Sequence, residues 1–111
     1  MDLTPLISSD RMVIQAYGSD GFKISGQMHT SNVIVFPDRV VLWLSGDLKD
    51  LVQYKDQLDV ILYGTGKTLK ALLPNQKQGL HIEAMDTGAA CRTYNVLMAE
   101  GRRVAAALLK N

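Results

Sequence analysis

Short apolar runs, broken at close intervals by Gly, Pro, Ser and Asp, divide the chain into extended pieces first and helical pieces later. The β-branched and aromatic run over 12–17 predicts a strand, and Gly18-Ser19-Asp20-Gly21 breaks it before Phe22-Lys23-Ile24. That spacing predicts a hairpin with a four-residue connection. Ser25-Gly26 is a second break, followed by a short extended piece at Gln27-Met28-His29. Asn32-Val33-Ile34-Val35-Phe36 is continuously apolar after its first residue, the pattern of a strand buried on both faces. Pro37-Asp38 predicts a turn, and 39–44 a further strand of the same character.

Ser45-Gly46-Asp47 closes that strand, with Asp47 or Ser45 placed to cap a helix through Leu48, Leu51 and Val52. The strand predicted over 58–63 runs into Gly64-Thr65-Gly66-Lys67-Thr68. Leu69, Leu72 and Leu73 then share one helical face, before Pro74 disrupts the helix. The stretch 80–84 alternates as a half-exposed or edge strand. From Thr87 to Lys110 the pattern is helical, with Gly101 expected to bend the helix or divide it in two. Strand, helix, strand with connections of this length favours parallel neighbours and a right-handed crossover. The expected architecture is a three-layer α/β domain: a central mixed sheet of about five strands flanked by helices, plus a short N-terminal hairpin. Residues 1–10 read as a lead-in to a single domain over 11–111.

Composition narrows the function classes. At 111 residues there is room for one core, and 47% hydrophobic with 21% charged residues is ordinary for a globular protein. A net charge of +1 and 6% aromatic residues supply neither the field nor the stacking surfaces expected of a nucleic-acid binder. One cysteine excludes an internal disulfide and fits a reducing compartment. Asp2, Pro5 and Asp10 suit neither a signal peptide nor a transit peptide, and no apolar run approaches the ~20 residues that span a bilayer. The expectation is a cytoplasmic protein without membrane insertion.

Gly66-Lys67-Thr68 matches the end of a phosphate-binding P-loop, but the full motif needs a glycine where Ile61 stands. A weaker possibility is left: glycines between a strand end and a helix start expose backbone N–H groups to an anion, at the edge where α/β sheets gather ligands. Equally, Gly64 and Gly66 can make a tight turn with Thr65 or Thr68 as cap. Asp86 or Thr87 caps the next helix, and Thr87 lies beside the glycine turn if the intervening strand is parallel. Cys91 falls in the first turn of that helix, where the macrodipole lowers a thiol pKa, or it packs as a small hydrophobe. Thr93 and Asn95, moderate-to-poor helix formers in mid-helix, serve either structural hydrogen bonding or ligand recognition. Glu100 and Arg103 are spaced for a helical ion pair, while Arg102 and Arg103 are also candidates for contact with a partner's carboxylate. His29 and His81 stand alone, without metal-ligand spacing, so neither a metal nor a cofactor is expected.

The sequences Val60-Ile61-Leu62-Tyr63-Gly64-Thr65-Gly66, Met85-Asp86-Thr87-Gly88-Ala89-Ala90-Cys91-Arg92-Thr93-Tyr94-Asn95-Val96-Leu97 and Glu100-Gly101-Arg102-Arg103-Val104-Ala105-Ala106-Ala107-Leu108 together resemble one family. It is the uncharacterised small α/β domain of many bacterial and archaeal proteins and of the mitochondrial complex I assembly factor 3. Phe22-Lys23-Ile24-Ser25-Gly26, Val33-Ile34-Val35-Phe36-Pro37 and Trp43 extend the resemblance over roughly residues 10–109. Leu58 departs from it, standing where the family commonly has proline. The resemblance implies a three-layer domain and a protein-binding role, and it transfers no catalytic residue. Two readings follow. The first is a non-catalytic binding or assembly domain with a protein partner. The second is a domain for a small molecule or anion, possibly an enzyme, using Gly64, Thr65, Gly66, Thr87, Thr93 and Asn95. Oligomeric state stays open.

Overall fold

The computed structural model describes residues 10–67, 72, 74–77 and 79–110. Strands β1 (Ile14–Gly18), β2 (Gly21–Ile24) and β3 (Gln27–His29) form a small antiparallel sheet in that order. Gly18 and Gly21 are themselves paired, so the hairpin loop is only Ser19-Asp20, shorter than the expected four-residue connection. The main sheet is mixed and five-stranded. Its strands are β4 (Val33–Phe36), β5 (Arg39–Leu42), β6 (Val60–Gly64), β7 (Ile82–Met85) and β8 (Val104–Leu108), in the spatial order β5-β4-β8-β6-β7. β4 runs antiparallel to β5 and β8, whereas β6 runs parallel to β7 and β8.

Three layers result. On one face of the main sheet lie helix α1 (Thr87–Ala99) and the small sheet, joined through Ile14, Phe22, Ala90, Cys91 and Tyr94 to Val35, Leu62 and Ala106. On the other face lies the 3-10 segment Leu48–Gln57, whose Leu51 packs with Ile34, Trp43, Tyr63 and Ala105. Asp47 caps that segment, its carboxylate accepting from the Lys49 N–H. The expected helix is therefore present in a tighter form, and Val52, assigned to its apolar face, is exposed. The helix expected through Leu69 and Leu73 lies outside the described residues, as do residues 1–9 of the lead-in and Thr68.

The helical expectation for the end of the chain is corrected. Val104-Ala105-Ala106-Ala107-Leu108 is the central strand of the main sheet, buried on both faces. Gly101, at φ 82°, takes the left-handed conformation that closes α1: its N–H donates to the Met98 carbonyl, and the Arg102 N–H to the Leu97 carbonyl. Alanine favours helix in isolation, but here it pairs with β4 on one side and β6 on the other. Its small side chains also let both covering layers approach. Burial and ladder pairing outweigh local propensity.

β5 also differs from expectation. Its sequence predicts a strand like β4, yet among the described residues it is the outermost strand, with Val40 and Val41 half-buried and Leu42 exposed. A continuous apolar run does not distinguish a central strand from an edge. β7, read as an edge or half-exposed strand, is the opposite edge.

Candidate functional site

The parallel strands β6 and β7 end together, and the two loops that follow them are stitched to each other. The Thr65 N–H donates to the Met85 carbonyl at 3.0 Å, and the Thr65 hydroxyl donates to the same oxygen at 3.3 Å. Gly66 and Thr87 then bond reciprocally. The Gly66 N–H donates to Thr87 Oγ1 at 2.9 Å, and the Thr87 N–H donates to the Gly66 carbonyl at 2.9 Å. Gly66 sits at φ 98°, a conformation that favours glycine. Gly64 is closed in by Leu108, Ala90 and Thr87, so a side chain there would meet three neighbours at 2.9–3.3 Å. Thr65 and Thr87 are both buried. Four of the six candidate ligand residues thus converge as the sequence predicts, and the donors just described are engaged within the protein.

Helix α1 begins at this junction, and Asp86 is its cap: its carboxylate accepts from the Ala89 N–H at 2.9 Å. A carboxylate therefore occupies the positive end of the helix dipole, the place an exogenous anion would take.

Thr93 and Asn95 are not part of the junction. Asn95 lies eight residues beyond Thr87, about 12 Å along the helix axis. Its amide instead clamps β1: the Ile14 N–H donates to Asn95 Oδ1 at 3.0 Å, and Asn95 Nδ2 donates to the Ile14 carbonyl at 2.8 Å. This pair imitates a strand neighbour. Tyr94 adds a third tie, its hydroxyl donating to the Met12 carbonyl at 2.8 Å, and Arg92 a fourth, donating to the Tyr17 hydroxyl at 3.3 Å. Thr93, half-buried, lies between these contacts in sequence. The polar positions that set α1 apart from an ordinary surface helix thus serve largely to hold the small sheet. Sequence reasoning flagged Asn95 by its poor helix propensity, but its partner lies 81 residues away and nothing local indicates it.

Cys91 is buried among the core residues. Burial pushes its thiol up to about 12, the nearby Arg92 charge opposing only in part and Asp86 adding to the rise. As the fifth residue of α1 it lies just past the first turn predicted for it from the sequence, and burial rather than the helix dipole governs its thiol. Burial also pushes the Tyr94 phenol above its ordinary range.

Arg102 and Arg103 separate in role. Arg103 Nη2 donates to Asp59 Oδ1 at 2.6 Å while the Asp59 N–H donates to the Arg103 carbonyl, tying the start of β8 to the start of β6. The hydrogen bond from Arg103 is the main cause holding the Asp59 carboxyl below its ordinary value. The turn at Gly101 directs Arg103 to this partner instead of Glu100. Arg102 is exposed. Next to this pair, His81 bridges the Asp59 carbonyl oxygen and the Glu83 carboxylate at 3.0 and 3.1 Å. A cavity of about 200 Å³ between Lys55, Leu58, Ile61 and Leu80 opens at this same end of β6, away from the glycine turn. Among the described residues no three His, Cys, Asp or Glu side chains are grouped to hold a metal ion, and no helix is long and apolar enough to cross a membrane.

Residues 14–109 match the family described as "Protein of unknown function (DUF498/DUF598)". The chain belongs to this family. Among its relatives is the NADH dehydrogenase (ubiquinone) 1 alpha subcomplex assembly factor 3 of Xenopus tropicalis, 31% identical over 115 residues. That match covers 92% of this chain and 63% of the assembly factor, so the chain spans less than two thirds of that relative's length. An uncharacterized protein of Rhodobacter capsulatus is 38% identical over 103 residues, covering 86% of this chain and 82% of that protein. The crystal structure of a Bordetella parapertussis protein superposes with a TM-score of 0.78 at 34% identity, covering 91% of this chain and 97% of the other. The DUF498/DUF598 family has no stated activity, and its curated relatives include assembly factors.

Proposed function

We propose that this chain is a non-catalytic binding domain that acts as an assembly factor does, by holding another protein. The observation that carries this reading is the state of its candidate chemistry. The thiol is buried and raised to about 12, and the polar groups at the glycine turn hydrogen-bond one another. The kinship with assembly factors supports the same reading. Arg102, exposed at the end of α1, is the side chain we assign to a partner's carboxylate, with Arg103 recruited only if its bond to Asp59 opens. A reducing compartment, the cytoplasm, suits the single unpaired thiol.

Affinity capture from the source cell with the tagged full chain, set against the Arg102→Glu variant, tests the proposal. The expected result is a reproducible partner that the variant loses at least tenfold. A wild-type chain that enriches no protein above background would overturn it.

A second reading keeps the junction as a small-anion site. The observation in its favour is that Gly64, Thr65, Gly66 and Thr87 meet beyond the carboxyl ends of β6 and β7, where α/β sheets gather ligands. Titration with inorganic phosphate followed by amide shifts tests it. Saturable shifts centred on Gly66 and Gly88 support it, and shifts scattered over surface lysines refute it.

A further inference from the structure

We draw no further inference here: the strongest candidate, the cavity of about 200 Å³ at the start of β6 between Lys55, Leu58, Ile61, Gly79 and Leu80, has only the exposed side chains of Lys55 and His81 to offer a ligand charge, and Gln78, next in sequence to its Gly79 wall, lies outside the described residues, so nothing in the structure shows what covers it.

Discussion

Asn95 is the most informative single site to perturb. Replacing it with alanine removes two hydrogen bonds at once and strands the N–H and carbonyl of Ile14, a residue only 5% exposed. Each lost bond is worth about 1 kcal/mol, and a buried group left without a partner costs about 1–3 kcal/mol. Alanine returns roughly half a kcal/mol through better helix propensity. With the site only part-buried, the net loss should be about 2 kcal/mol, or roughly 8 °C in Tm for a domain of this size. Urea unfolding followed by Trp43 fluorescence measures it, with the slope against denaturant unchanged. Hydrogen exchange should accelerate first in β1 and β2, because the clamp joins the small sheet to α1. Asn95→Asp provides a control of opposite sign with pH: its carboxylate would face the Ile14 carbonyl, so its folded pKa should lie above the unfolded value. It should destabilise at neutral pH and recover as pH falls through that raised folded value, with the recovery complete by about pH 4. A loss under about 0.5 kcal/mol for Asn95→Ala, or exchange that accelerates equally in β8, would refute the reasoning.

Three further outcomes are expected. Cys91 should resist a thiolate-specific reagent at pH 8 in the folded protein and react on unfolding, since burial raises its thiol to about 12; prompt labelling without denaturant would contradict that burial. Gly101→Ala should cost about 1–2 kcal/mol, because φ 82° strains any residue with a Cβ, while open space around the glycine excludes a steric cause; thermal melts read it directly. Asp59 has a depressed folded pKa, so its contribution is complete above the unfolded carboxylate value and fades as pH falls through the folded one. Asp59→Asn should therefore flatten the acid side of a Tm-against-pH profile, and an unchanged profile would show that the bond to Arg103 carries no weight in solution.

What the sequence discloses depends on how local each cause is. β4 and β6 are legible because an unbroken apolar run suits a strand covered on both faces, and β7 because it alternates. The meeting of the glycine turn with Thr87 is legible too, since a parallel β7 brings the two loops to one edge. Two features escaped for the same reason. β8 is an alanine-rich strand only because β4 and β6 are waiting on either side, and β4 lies some 75 residues away along the chain. Asn95 has a purpose only once β1 has arrived 81 residues from it. Composition announces neither, because each is decided by what the fold brings near.

The position of β8 also orders the folding process. β4 and β5 can pair as soon as they are made, and β6 and β7 can follow, but each group presents an open edge where the middle of the sheet should be. Only β8, the last strand in chain order, closes both edges. Its pairing of Val33 with Leu108 must first close a loop of about 75 residues, so the rate-limiting step should lie in that late insertion. A nascent chain lacking residues 104–108 would hold two half-sheets with no strand ladder between them.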